Sequence, residues 1–350
     1  MRIPYKQPSE SPFKNHFMNG GFDFWQRATS FTSFEGKIAD RFSVGYAVSP
    51  GRATWSRDNS VVHPNGLTTY SLKAQTSIID AAPAAGALGL LRHRLEGNYF
   101  RALKGKTFYL KGKIYTNVTG DWTLGFSNAS ESNRWLDQIN VPVANTWTDF
   151  ILDVTHNPAI GSWNYNELSG LHVIVPVVTG TNHQTAAANK RNWNTSTGWT
   201  ITGSANANFH SSLSNVLYLA QLQLVTDPDE SFQRMGGSIA EELKLCQRYY
   251  ADMPHAAGVA TSANSVSIYE KLEQTMRIAP VASVNGTGIL NAQNGLDNQT
   301  QSSPSISTNF AETNFVILVC GNFPSLTSGR MINVGIPANN GNSIRLDAEF

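Results

Sequence analysis

The chain reads as all-β: a β-sandwich, one short linking helix and a small C-terminal β domain. Three observations predict this. Apolar residues recur at every second position through most of the chain, the signature of strands with one face on a core. Clusters of Gly, Asn, Ser and Pro separate these runs, which is turn chemistry. Charged residues make up only 15% of the 350 residues, below the roughly 25% of ordinary domains, while Asn alone occurs 32 times. A surface of neutral hydrogen-bonding groups suits β-rich extracellular and particle-surface proteins.

The alternation can be followed in order. Phe108, Leu110 and Ile114 alternate with Lys111 and Lys113. Phe150, Leu152 and Val154 alternate with Asp149 and Asp153, and Leu171, Val173, Val175 and Val177 share one side of the next run. Val216, Tyr218, Ala220, Leu222 and Leu224 alternate with Gln221 and Gln223. Many strands without intervening helical periods argue for a sandwich.

One helix interrupts the pattern. Ser238 to Glu241 is a capping box, with Glu241 and Glu242 in the first turn and Arg248 in the last. Ile239, Leu243, Cys246 and Tyr250 are spaced to form one apolar face. Met253-Pro254 ends the helix, and Ala256 to Ser265 reads as small-residue linker. Beyond it, Phe315 to Val319 reads as a fully buried strand. Ile332, Val334 and Ile336 alternate with polar or small residues, and so do Ile344, Leu346, Ala348 and Phe350. The last run predicts a terminal strand tied into a sheet.

Composition excludes several classes. A net charge of +1 with no basic block argues against nucleic-acid binding. The opening residues lack the apolar segment and cleavage site of a signal peptide. No run of about 18 apolar residues offers a membrane span. Cys246 and Cys320 form neither a disulfide framework nor a metal set; as two buried free thiols they suit folding in a reducing cytoplasm. The eight histidines are scattered, so no metal site is expected. Gly105-Lys106-Thr107 resembles the end of a phosphate loop, but Phe100 stands where the first glycine belongs. Gly-x-Ser-x-Gly and His-Glu-x-x-His are absent.

A set of ordered motifs remains. Asn19-Gly20-Gly21-Phe22-Asp23-Phe24-Trp25-Gln26-Arg27 is followed by Ala39-Asp40-Arg41-Phe42, and much later by Cys246-Gln247-Arg248-Tyr249-Tyr250. In order and spacing these resemble a family of tailed-bacteriophage virion proteins, called tail-fibre or minor structural proteins. The resemblance implies a jelly roll like that of carbohydrate-binding modules, a short helix and a following β domain. The expected organisation is an N-terminal arm (1–13), the jelly roll (14–235), the helix segment (236–252), a linker (253–265) and the C-terminal β domain (266–350). The arm is either an anchor or a frayed end.

The resemblance further implies a non-enzymatic protein, made in the bacterial cytoplasm and displayed on the virion surface. A homo-oligomer is expected, with the trimer number implied by phage fibres. Capsid or tail proteins are the implied partners, and host glycan is a further one. A tail fibre that adheres to host glycan and a head fibre or capsid-decoration protein held by the arm both fit; a polysaccharide-cleaving tailspike is the third alternative. For that last reading Asp121, Glu131 and Asp137, near Trp122 and Trp135, are the best acid cluster.

Sugar sites use aromatic faces with Asn, Asp and Gln fixing hydroxyls. Trp163 and Tyr165 in one loop, and Asn192, Trp193, Asn194 and Trp199 in another, are the candidate ligand contacts. Equally, these aromatics could cover an end of the sandwich. Trp25, Arg27, Asp40, Arg41, Arg248 and Tyr249 are read as structural, with Arg27, Asp40 and Arg41 forming a charge network. No cofactor is expected; a structural calcium, with Asp23 or Asp227 as oxygen donors, is the one metal considered.

Overall fold

The computed structural model describes residues 13–186, 189–195, 200–203, 206–253, 255–284, 290–293, 298–303, 305–335 and 343–350. The expected arm lies outside these residues except for Phe13, and so do Trp199 and Ile336. The chain divides into two compact units; the first runs to Leu243 and the second is Lys244–Glu349. Strands are numbered in chain order.

The first unit is a jelly-roll sandwich of two antiparallel sheets. One has six strands, in spatial order β1 (Ser30–Phe31), β4 (Arg52–Asp58), β5 (Ser71–Ile78), β15 (Val216–Val225), β7 (Thr107–Thr116) and β10 (Thr148–Thr155). The other has seven, β13 (Asn194–Thr195), β9 (Asn133–Val141), β8 (Gly120–Ser127), β11 (Ser169–Thr179), β6 (Leu88–Glu96), β3 (Phe42–Ala47) and β2 (Gly36–Lys37). β12 (Gln184–Thr185) and β14 (Thr202–Gly203) make a small parallel pair. The inner faces carry the period-two residues of the sequence, including Phe108, Leu110, Phe150, Leu152, Val173 and Val175, packed around Trp55, Trp122 and Phe126. Each such buried aliphatic or Phe side chain contributes roughly 1.5–3 kcal/mol.

The reading of β15 needs one correction. Its inward residues are Leu217 and Leu219, then Leu222 and Leu224. The phase slips because the register against β7 shifts between Ala220 and Gln223, and Gln221 adopts a left-handed φ of 53°. A bulge adds one residue and turns the following side chains over. The Gln221 amide is buried in a reciprocal pair with Asn65, at 2.6 and 3.0 Å.

The helix α2 (Ile239–Gln247) starts where the capping box predicts, with the Glu241 amide 3.2 Å from Ser238 Oγ. Its face differs from the expected one. Ile239 is 52% exposed, while Glu242, Cys246 and Tyr249 are buried. The rotation turns Glu242 inward, where its side-chain oxygen accepts from the backbone N–H donors described below. A four-residue helix, α1 (Gly97–Phe100), follows β6.

In the second unit β16 (Tyr250–Met253), β25 (Ile344–Asp347) and β19 (Val281–Val284) form one sheet. A seven-stranded sheet follows the order β21 (Asn298–Thr300), β20 (Asn291–Gln293), β24 (Met331–Gly335), β17 (His255–Ser262), β18 (Ser265–Lys271), β23 (Phe315–Cys320) and β22 (Ile306–Glu312). The segment read as linker therefore carries β17, paired on both edges. Its inward residues are small: Ala256, Gly258 and Ala260. A Cβ on Gly258 would lie 2.4 Å from the Ser267 carbonyl oxygen, so close strand approach selects glycine there. β23, read as fully buried, alternates instead, with Val316, Leu318 and Cys320 inside. The terminal run forms β25, with Ile344 and Leu346 in the core.

Candidate functional site

The signature segments build a clamp that closes the sandwich. Asn19 holds left-handed backbone, φ 58°. Its side-chain amide donates to the carbonyls of Phe24 and Asp40, and its Oδ1 accepts from the Phe24 amide. Gly20 is pressed against the bulge of β15: the Leu222 amide donates to the Gly20 carbonyl at 3.0 Å. A Cβ on Gly20 would fall 1.8 Å from the Leu222 carbonyl oxygen. Trp25 and Phe22 are core residues, and Trp25 Nε1 donates to the Phe22 carbonyl. Asp40 accepts from the Gln26 backbone and side chain at 3.2 and 2.6 Å, with Arg27 at 3.9 Å. Arg41 donates to the Arg94 carbonyl.

The same clamp reaches the end of the unit. Asn15 Nδ2 donates to the Gln233 carbonyl at 2.7 Å, and the His16 amide to Leu224 at 2.8 Å. Asp23 takes Arg234 with both oxygens, at 2.9 and 3.3 Å. Glu242 Oε1 accepts from the amides of Asn19 and Met235, at 2.9 and 3.2 Å. Burial pushes the Glu242 carboxyl up to about 8. In the second unit the Tyr249 carbonyl accepts from Ala348 at 2.8 Å, and Arg248 NH1 donates to Thr275. These contacts tie the signature side chains to backbone and to one another.

For calcium, both Asp23 oxygens are taken by Arg234, and Asp227 Oδ1 accepts from the Asp229 amide. Among the described residues no group of three or more His, Cys, Asp or Glu converges on one point. The acid cluster is likewise dispersed into separate pairings. Asp121 accepts from Asn140, Asp137 pairs with Arg191 at 3.0 Å, and Glu131 Oε1 meets Arg92 at 2.8 Å and His172 Nδ1 at 3.2 Å.

The predicted aromatic residues do come together. Trp163 and Trp193, 30 residues apart in the chain, meet edge to face with ring centroids 5.0 Å apart and planes at 88°. His156 packs against both, at 4.6 and 6.2 Å, and Phe100 lies 5.4 Å from Trp163. Tyr165 stacks on Phe100 at 5.8 Å and carries the Lys104 ammonium 4.8 Å above its ring. Both indoles are satisfied internally: Trp163 Nε1 donates to Ile160 at 2.7 Å and Trp193 Nε1 to Thr155 at 2.8 Å. His156 Nδ1 accepts from the Gly105 amide, and burial lowers its pKa to about 4. It is a neutral member of the cluster at neutral pH.

The cluster thus covers one part of the sandwich and also walls a cleft. About 390 Å³ of open space lies between Trp193, Trp135, Ile160, Asp153, Asn157 and Asn192, with Arg191 across it. This is at the small end of the range for small-molecule sites. Arg191 bridges Asp137 on β9 and Asp153 on β10, so it ties the two sheets of the sandwich together. The cleft offers an indole, amide groups and a guanidinium held between carboxylates, a set that can stack on a sugar ring and bond its hydroxyls. Asn192 and Trp193 line it. Asn194 turns inward, donating to Asn189 and Asn192 at 2.8 Å each. Trp163 and Tyr165 belong to the aromatic cluster behind Trp193 but are not among the cleft's lining residues. Asp153, Asn157 and Arg191 were not nominated as contacts from sequence; the first two lie four residues apart on and just after β10, and Arg191 directly precedes the nominated Asn192.

No protein-family model and no curated protein matches the chain by sequence. Among solved structures it is similar to the enzymatically active domain of tailspike protein 4 of bacteriophage CBA120, at 13% identity and a TM-score of 0.33, over 61% of this chain and 22% of that one. It is similar to a family 11 carbohydrate-binding module of a cellulosomal cellulase of Clostridium thermocellum, at 8% identity and a TM-score of 0.30, over 56% of this chain and 93% of that one. It is also similar to TmCBM61, solved with beta-1,4-galactotriose, at 8% identity and a TM-score of 0.29, over 61% of this chain and 99% of that one.

Proposed function

We propose that this chain is a non-enzymatic surface protein of a tailed-phage virion, of the receptor-binding tail-fibre type, whose sandwich binds host glycan in the Trp193 cleft. It is made in the bacterial cytoplasm and assembles as a homotrimer on the particle. The observation that carries the glycan reading is the cleft itself, where an indole, Asn157, Asn192 and the Arg191 guanidinium surround one open space. The ordered motifs from Asn19 to Tyr250 support the virion assignment. The absence of catalysis is supported by the separate pairings of Asp121 with Asn140, Glu131 with Arg92 and Asp137 with Arg191.

The test is glycan-array binding of the parent and of Trp193→Ala. The expected result is saturable binding of a neutral glycan that falls about tenfold or more in the variant, the loss of one stacked aromatic contact. Equal binding by both proteins removes the cleft from the reading. Release of reducing ends from host polysaccharide would make the chain an enzyme. Immunogold labelling of particles separates tail from head: label spread over the head would favour the decoration alternative.

A further inference from the structure

A second concave site lies on the opposite surface of the seven-stranded sheet, away from the sandwich core. It is a groove of about 530 Å³ along β3 and β6, walled by Glu35–Lys37 on one side and His183 on the other. Its floor is made by the outward residues of the two strands, where Ser43 pairs with Arg92, Gly45 with Leu90 and Ala47 with Leu88. From Leu88 to Arg94 the groove spans seven residues of strand, roughly 20 Å.

Two features point to an occupant. The first is Gly45. Glycine inside a strand weakens it and marks a close approach by a ligand or another backbone. For Gly89 and Gly258 a neighbour explains the glycine, because a Cβ would meet Tyr46 and Val178, or Ser267. At Gly45 a Cβ would meet nothing within 4 Å. None of the described residues accounts for it, and the space it leaves is the floor of the groove.

The second is charge. Lys37, Arg92 and Arg94 line the groove against the single carboxylate of Glu35. Arg92 is fixed from behind by the buried Glu131, whose Oε1 also meets His172 Nδ1. A guanidinium held by a buried carboxylate is oriented before a ligand arrives, and its planar fork suits carboxylate or phosphate oxygens. Tyr46 is the aromatic residue of the lining, and its ring already carries the Arg52 guanidinium at 4.4 Å; Leu88 and Leu90 supply short apolar contact between the charged end and Gly86.

We propose that this groove binds an extended acidic glycan, one bearing carboxylate or phosphate groups, with Arg92 and Arg94 taking the anion and Gly45 admitting the chain. The inference rests on the glycan-binding reading but uses a different site from the Trp193 cleft. The experiment measures binding of the full chain to polygalacturonate, poly(glycerol phosphate) and dextran by calorimetry. Gly45→Trp, Arg94→Gln and Trp193→Ala are compared with the parent, each first checked for an unchanged circular dichroism spectrum.

Binding to one of the two anionic polymers but not to dextran is expected, weakening as salt rises. Which polymer binds separates carboxylate from phosphate. Gly45→Trp, which fills the floor, and Arg94→Gln should each raise Kd about tenfold or more, while Trp193→Ala leaves it unchanged. If anionic binding survives in Gly45→Trp and Arg94→Gln but is lost in Trp193→Ala, the groove inference falls and the glycan reading stands. If dextran binds as well as the acidic polymers, the anionic assignment falls. If no polymer binds at all and the glycan array is also empty, both readings fall.

Discussion

Glu242→Gln should remove a pH dependence that the parent protein carries through neutrality. The Glu242 side chain is buried, 0% exposed, with Oε1 accepting two backbone N–H bonds. Burial raises its pKa from 4.5 to about 8. The folded pKa lies above the unfolded one, so the stabilising effect is complete below 4.5 and is lost as pH rises through 8. Each pH unit in that window is about 1.4 kcal/mol, and the whole window gives an upper figure of about 5 kcal/mol. That is comparable with the total stability of many domains, about 5–15 kcal/mol. Glutamine keeps an acceptor oxygen for Asn19 and Met235 and does not titrate. Urea unfolding followed by tryptophan fluorescence, between about pH 5 and pH 8, reads the difference. The two proteins should be similar at the acid end, with the variant the more stable by several kcal/mol at the alkaline end. Parallel pH profiles would refute the reasoning: the two N–H donors would then outweigh desolvation and keep the group an ordinary carboxylate.

Buried histidines act in the opposite direction. Burial lowers His16 and His210 from 6.5 to about 4, so their contribution is present above 6.5 and lost as pH falls, by up to about 3 kcal/mol each; with Glu242 this puts maximal thermal stability near pH 6.5. Gly20→Ala should cost about 3 kcal/mol or more in chemical denaturation, because its Cβ meets the Leu222 carbonyl at 1.8 Å. Gly45→Ala, in open space, should instead raise stability by roughly 0.5–1 kcal/mol. Asp40→Ala removes an ion-pair partner from half-buried Arg27 and the acceptor of the Gln26 amide, and should cost about 3 kcal/mol in the same assay.

Strands were legible where large apolar residues alternate with charges, as in β7 and β10, because the period alone places Phe108 and Phe150 inside. β17 was not, because its inward residues are Ala and Gly, which hydropathy cannot separate from linker. The phase of β15 was misread for a different reason: the bulge at Gln221 is imposed from outside by Gly20 and Asn65, more than 150 residues away. The helix face turns with Glu242, whose side chain accepts from the distant Asn19 amide as well as from nearby Met235, and no local pattern encodes the first of these. Trp163, Asn192 and Trp193 could be nominated from composition, since aromatics in polar loops stand out. Their partners in the cleft, and the whole groove over β3 and β6, arise from the pairing of strands far apart in sequence. Gly45 is the one local trace of that groove.

The clamp has a mechanical consequence. Hydrogen bonds from Asn15, His16, Asn19, Gly20 and Asp23 reach Leu222, Leu224, Gln233, Arg234 and Glu242, so the two ends of the sandwich are knotted side by side. Tension entering through the chain before Asn15 and leaving after Glu242 crosses this knot by the shortest route. The sheets between hang as a closed loop beside the line of force, and a groove or cleft on them keeps its shape while the line is pulled.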